Sequence, residues 1–134
     1  MSVPSGGRSR PIESARPTFR FPRSARILRR ADFRRVYEQG IRVSTPYFVA
    51  FCALSEEGGG GRIGLTVPRM LGKAVIRNRI KRRLREAVRL QLRRLPPGWD
   101  VVINARQAVV QARFEELLQA VERLFARCAT GGRQ

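Results

Sequence analysis

Arg77, Arg79, Lys81, Arg82, Arg83 and Arg85 follow one another with no acidic residue until Glu86. Surface helices usually intersperse acids with bases, because opposite charges three or four positions apart stabilise the helix and like charges destabilise it. A run of uncompensated cations therefore calls for an external partner, and a row of phosphates, whose neutralisation releases counterions, supplies one. A charge run alone marks a solvated face about as often as an interface; the missing acids favour the interface. Of the basic residues only Lys73 and Lys81 are lysine. The remainder are arginine, whose planar fork matches phosphate bidentately and stacks on bases.

The other residue types capable of chemistry are sparse. There is no histidine, which excludes Ser-His and Cys-His nucleophilic pairs and removes the commonest general base. Cys52 and Cys128 stand in apolar surroundings without CxxC spacing, and read as buried thiols in a reducing compartment. Asp32 and Asp100 are the only aspartates; Glu56 and Glu57 fall in a glycine-rich loop, and Glu115, Glu116 and Glu122 on a predicted helix. Nothing in their spacing supports a two-metal carboxylate nuclease centre. No catalytic side chain and no metal ligand is assigned.

The chain has 134 residues and a formal net charge of +18. Such a length suits one domain, and a hydrophobic fraction of 43% is enough for a buried core. A small domain with this charge repels itself unless a polyanion neutralises it. Nucleic acid is the first expected partner and an anionic membrane surface the second; the arginine bias alone is weak evidence for RNA over DNA. No stretch approaches the roughly 20 apolar residues of a membrane span, and the N-terminus lacks the apolar region of a secretory signal.

The elements that must position these residues follow from periodicity. Residues 1–22, rich in Ser, Gly, Pro and Arg, read as a disordered basic arm, with Phe19 and Phe21 docking its end. Phe33, Val36 and Tyr37 recur at helical spacing over Arg29 to Gln39, with Gly40 expected as a left-handed cap. Ile41–Ser44, Tyr47–Leu54 and Arg62–Val67 read as strands, broken by Thr45-Pro46 and Gly58–Gly61. The near-continuous apolar run of Tyr47–Leu54 predicts cover on both faces. Gly72 marks a loop before a helix over Arg77–Arg94, whose apolar stripe is Ile76, Ile80, Leu84, Ala87 and Val88. Pro96-Pro97-Gly98 ends it, Asp100–Ala105 is a fourth strand, and Arg113–Cys128 is the clearest amphipathic helix, with residues 129–134 fraying. The order α-β-β-β-α-β-α predicts an α+β fold, one small domain over residues 23–128 with helices packed on a four-stranded, mostly antiparallel sheet.

The stretch Gly72-Lys73-Ala74-Val75-Ile76-Arg77-Asn78-Arg79-Ile80-Lys81-Arg82-Arg83-Leu84-Arg85 resembles the Arg-Asn-Arg signature of the bacterial ribonuclease P protein subunit. Phe21-Pro22-Arg23-Ser24-Ala25-Arg26, Ala31 to Gly40 and Asp100 to Arg106 resemble that family's entry strand, first helix and last strand, so the resemblance runs in order over residues 21 to 128. It implies a ribosomal-protein-like two-layer fold with a left-handed β-α-β crossover. It also implies a cytoplasmic ribonucleoprotein endonuclease that removes the 5′ leader of precursor tRNA, with the RNA subunit as catalyst, Mg2+ held mainly by that RNA, and neither DNA nor membrane as partner. On the same resemblance, Arg77, Asn78, Arg79, Lys81, Arg82 and Arg85 lie against the catalytic RNA. Phe33, Tyr37, Arg42, Ser44, Val49 and Phe51 line a cleft for the single-stranded leader. Val67-Pro68-Arg69-Met70 departs from the family's more polar and basic stretch, which puts a contact there in doubt.

Read from the residues alone, Phe33, Tyr37 and Phe51 are individually better explained as ordinary core. Two other functions fit the composition. An rRNA-binding scaffold protein shares the charge and the small fold but needs no single-strand groove, and a protein-only nuclease would need its acids to converge.

Overall fold

Alternation along Phe48–Leu54 (β2) sorts its side chains between two layers. Phe48, Ala50 and Cys52 are buried on one face, while Val49 and Phe51 on the other stay half-exposed. The computed structural model describes residues 26–27, 29–55 and 61–130. Within them Arg30–Gln39 is α1, Ile41–Ser44 β1, Arg62–Thr66 β3, Ala74–Gln91 α2, Trp99–Ala105 β4 and Phe114–Ala129 α3, with short 3-10 turns at Arg69–Leu71, Leu92–Arg94 and Gln107–Val110. The expected arm, the docking of Phe19 and Phe21, the domain boundary at 22/23, Glu56 and Glu57 lie outside the described residues.

The sheet runs β1-β2-β4-β3. β2 is antiparallel to β1 and to β4, and β3 is parallel to β4, so α2 carries the chain across a β-α-β unit. The sheet is thus mixed and mostly antiparallel, in the α+β class expected. One face packs on α2 and α3, where Ile80, Leu84, Ala87, Val88, Leu117, Val121, Leu124 and Phe125 meet Phe48, Ala50, Ile63, Val101 and Ile103. The stripes expected to be core are core, with Ile76, Phe114 and Leu118 at its margin. The opposite face carries α1 and a smaller cluster of Ile27, Val36, Ala53 and Val102, flanked by Phe33 and Phe51.

Five local expectations need correction. Gly40 is not a left-handed cap; its φ is −79° and ψ 155°. β1 begins at the next residue, leaving no room for a turn, and glycine is required there because a Cβ would stand 2.4 Å from the Val36 carbonyl oxygen. α2 starts at Ala74, not Arg77, so Asn78 sits inside the helix; Ala74 is an excellent helix former and the turn it opens brings Ile76 onto the core. That helix ends at Gln91 in a tightened 3-10 turn that delivers Leu95 into the core. Finally, Tyr47–Leu54 is covered on one face only in part, because α1 is ten residues long and does not reach Val49. At the far end, Ala129 closes α3 and does not belong to the frayed tail.

Candidate nucleic-acid interface

Strand register places side chains of the α1 face in rows that cross the sheet. Ala53, Asp100 and Arg62 form one row, Arg42, Phe51, Val102 and Gly64 the next, and Ser44, Val49, Asn104 and Thr66 the third. α1 covers the first two. Arg35 reaches the first row, and Phe33 lies over Gly64, where a Cβ would come within 2.7 Å of the Phe33 ring. The third row is left open beside Tyr37.

Tyr37 forms the wall of this trough. It is 39% exposed, packs edge-on against Phe51 at a centroid distance of 5.2 Å and an angle of 78°, and donates from its hydroxyl to Asn104 Oδ1 at 2.7 Å. Thr66 Oγ1 donates to the same oxygen. At the β1 end, Arg106 Nη2 donates to Ser44 Oγ at 3.2 Å. Arg42 and Ser44 are exposed on the edge strand. All six expected cleft residues therefore lie on one face, but not equally: Phe33 is chiefly packing, whereas Tyr37, Phe51 and Val49 present an aromatic and apolar surface to solvent.

The basic helix presents its charge outward. Asn78, Arg79, Lys81, Arg82 and Arg85 are exposed, and among the described residues none of these four cations forms an ion pair with a carboxylate. Arg77 is half-buried and donates from Nε to the Gly72 carbonyl at 3.2 Å. Gly72 has φ +144°, a left-handed conformation suited to glycine, and so turns the chain into α2. Arg83 differs from its neighbours: it donates to the carbonyls of Val109, at 3.1 Å, and of Ala112, tying the 3-10 turn before α3 to α2. Glu86 is spent on Arg89. Lys81 and Arg85 share a cavity of about 150 Å³ with Arg26, Ile27, Phe33 and the β3 residues Ile63, Gly64 and Leu65, so the cationic face and α1 meet at the β3 edge.

Four of the acids that might have built a nuclease centre are bound elsewhere. Asp100 is fully enclosed and accepts from Arg35 and from Arg62, the latter through Nε at 2.9 Å and Nη2 at 2.8 Å. Asp32 lies 3.6 Å from Arg62 and 3.5 Å from Arg29, and Glu122 pairs with Arg94. Glu116 accepts from the Arg113 backbone N–H at the start of α3, where the helix dipole favours acid. Among the described residues no three His, Cys, Asp or Glu side chains converge on a metal position. Cys52 and Cys128 are buried and unoxidised; the hydrogen bond between them, and then burial, raise the Cys52 thiol above its ordinary range.

Comparison with known proteins decides the family. A family profile described as Ribonuclease P matches residues 21–129. The chain belongs to the ribonuclease P protein family. It is 46% identical over 102 residues to the ribonuclease P protein component of Symbiobacterium thermophilum, covering 76% of this chain and 89% of that one. Its identity to the component of Desulfatibacillum aliphaticivorans is 36% over 116 residues, covering 87% and 98%. The fold is similar to the ribonuclease P protein of Staphylococcus aureus, with a TM-score of 0.66, 30% identity and coverage of 78% and 94%, and to that of Thermotoga maritima, with a TM-score of 0.67, 28% identity and coverage of 76% and 96%.

Sequence reasoning missed three features of the chain. The Arg35–Asp100–Arg62 cluster that seats α1 gave no local signal, since its members are 65 and 38 positions apart. Asn104 and Thr66 extend the trough floor across β4 and β3, and Arg106 borders it. Asn104 did carry a signal: it is the one uncharged polar residue in the apolar run DVVINA, and a polar group in such a strand is informative. In the departing stretch Val67-Pro68-Arg69-Met70, Met70 is 87% exposed and Arg69 is exposed beside it.

Proposed function

We propose that this chain binds the catalytic RNA of ribonuclease P through Arg77, Asn78, Arg79, Lys81, Arg82 and Arg85, and holds the single-stranded 5′ leader of precursor tRNA in the trough of Phe33, Tyr37, Arg42, Ser44, Val49 and Phe51. One observation carries the reading: a row of cations with no carboxylate partner among the described residues meets, at the cavity Lys81 and Arg85 share with Phe33, the same α1 layer that carries Tyr37 and the aromatic trough. The cations neutralise phosphates and release counterions. Tyr37 and Phe51 offer ring surface on which bases of any identity stack, at about 1 to 3 kcal/mol per base, which suits leaders of differing sequence.

Bond cleavage belongs to the RNA in this reading, and Mg2+ is held there. Asp32 and Asp100 are committed to arginines, and the chain has no histidine to move a proton. The protein's part is to position two RNA strands against each other in a cytoplasmic ribonucleoprotein; among its described residues no helix is long and apolar enough to cross a membrane. Purified protein incubated with precursor tRNA and Mg2+, with and without the cognate RNA subunit, tests this. Leader removal is expected only with the RNA, and at a higher kcat/KM than RNA alone achieves at low Mg2+. Cleavage by protein alone overturns the reading in favour of a protein-only nuclease.

A further inference from the structure

Asn104 occupies the middle of the open row, between Val49 on β2 and Thr66 on β3. An asparagine amide ordinarily offers one acceptor oxygen with two lone pairs and an NH2 with two donors. Here both lone pairs of Oδ1 are taken, one by the Tyr37 hydroxyl at 2.7 Å and one by the Thr66 hydroxyl. Nδ2 donates to nothing among the described residues. It is also not one of the enclosed side-chain atoms without a partner, which are Asp32 Oδ2, Gln91 Oε1 and Arg127 Nε. The amide NH2 therefore opens to solvent on the trough floor, beside the exposed ring of Tyr37.

We propose that Asn104 reads the leader base seated against Tyr37, as a donor only, and favours uracil and guanine over adenine. The proposal rests on the trough being the leader site. A free asparagine pairs bidentately with adenine, accepting from N6 and donating to N7. With its acceptor side occupied, Asn104 cannot make that pair and turns two N–H groups toward whatever enters. Uracil O4 and guanine O6 are carbonyl acceptors that suit this edge. Adenine offers this edge only a ring nitrogen, N1 or N7, and in either pairing its N6 amino group, itself a donor, lies alongside the amide donors. Tyr37 and Thr66 thus have a second role: with both hydroxyls donating to Oδ1, it is the NH2 half of the amide that faces the RNA. Single-stranded RNA is commonly recognised by such pairing of a splayed base beside an aromatic platform. The stacking rings tolerate every base, so a preference at one leader position comes from the amide.

The test uses the reconstituted holoenzyme and precursor tRNAs that differ only in one leader nucleotide, with each of the four bases placed in turn at the positions nearest the cut. At one position the native protein is expected to favour uracil and guanine over adenine by about fivefold in Kd, the worth of one hydrogen bond. Asn104→Leu should bring that ratio to near one. Asn104→Asp, which keeps an acceptor for both hydroxyls but removes the donors, should abolish or reverse it, and Tyr37→Phe should narrow it by releasing one lone pair. Ratios within each variant are unaffected by any general change in affinity, and thermal melts report whether each variant is folded. A uracil-to-adenine ratio that survives unchanged in folded Asn104→Leu and Asn104→Asp overturns the assignment. So does a flat profile in the native protein while Tyr37→Ala still weakens leader binding, an outcome that leaves the trough reading intact. Equal effects of Tyr37→Ala on leader-bearing and mature tRNA overturn the trough reading, and the role of Asn104 with it.

Discussion

Arg35, on the buried side of α1, and Asp100, at the start of β4, form an ion pair whose carboxylate is sealed from solvent. Arg35 also donates through Nη1 to the Leu54 carbonyl at 2.8 Å, so a single side chain joins α1 to both β2 and β4. Because Arg62 completes the carboxylate's hydrogen bonds from β3, α1 is clamped at the end of the sheet opposite the trough. The clamp sets where the helix stops covering the face, and hence where the open row begins.

Removing one partner of such a pair leaves an uncompensated buried charge, which typically costs about 3 to 5 kcal/mol. Asp100→Ala is therefore expected to destabilise the fold by that amount in urea unfolding, with both Arg35 and Arg62 stranded. Arg35→Met, which replaces the charge with an apolar side chain of similar reach, should destabilise as well, since Arg62 still balances Asp100 but the Leu54 carbonyl loses its donor. If Asp100→Ala unfolds at the native urea midpoint, the cluster does not seat α1.

Arg79 and Arg82 are exposed and have no carboxylate partner among the described residues. Arg79→Ala and Arg82→Ala should leave stability unchanged and weaken binding to the RNA subunit, each by about 1.5 to 3 kcal/mol if its contact is a charge-assisted hydrogen bond. The slope of log affinity against log salt should fall by about 0.7 to 0.9 for each phosphate contact removed. Filter binding across a salt series measures both. A salt slope near zero in the native protein would mean that the basic helix is idle.

Arg83 provides the contrast. Its guanidinium is occupied by the Val109 and Ala112 carbonyls, so Arg83→Ala should lower stability by about 1 to 3 kcal/mol through the acceptors it leaves unpaired. RNA affinity measured on the folded fraction should stay near the native value. A loss of RNA affinity equal to that of Arg82→Ala, without loss of stability, would place Arg83 at the interface instead.

Tyr37→Ala and Phe51→Ala remove the ring surface of the trough. Each is expected to weaken precursor tRNA by about 1 to 3 kcal/mol per base that loses its stacking partner, with mature tRNA unaffected. Competition binding with the two tRNA forms gives the difference directly.

The Cys52 thiol is raised by its hydrogen bond to Cys128 and by burial. A group whose pKa is raised by folding stabilises the native state below its unfolded value and loses that contribution as pH rises. With an unfolded thiol near pH 8.5, Cys52 should add to stability through neutral pH and lose its contribution progressively above about pH 8.5. Neither thiol should react with a thiol-specific reagent at pH 7.5 until the protein is unfolded. Rapid labelling of the native protein would show that the pair is accessible.

Much of this molecule is legible in its residues because the relevant physics is local. The apolar spacing of Leu117, Val121, Leu124 and Phe125 admits only a helix with one buried face, and the acid-free run from Arg77 to Arg85 implies an anionic partner whatever the fold. Other features are decided only when distant segments meet. Gly40 looks like a cap in sequence but is a close-approach residue, held between the Val36 carbonyl and the Cys52 backbone of β2. Arg83 is indistinguishable from Arg82 until the turn before α3 supplies carbonyls for it. Asn104 is one polar residue in an apolar strand until α1 brings Tyr37 over it and β3 brings Thr66 alongside. Periodicity reports which face of an element is apolar. Which partner each polar group finds is set by contacts between residues tens of positions apart, and these exist only in the folded chain.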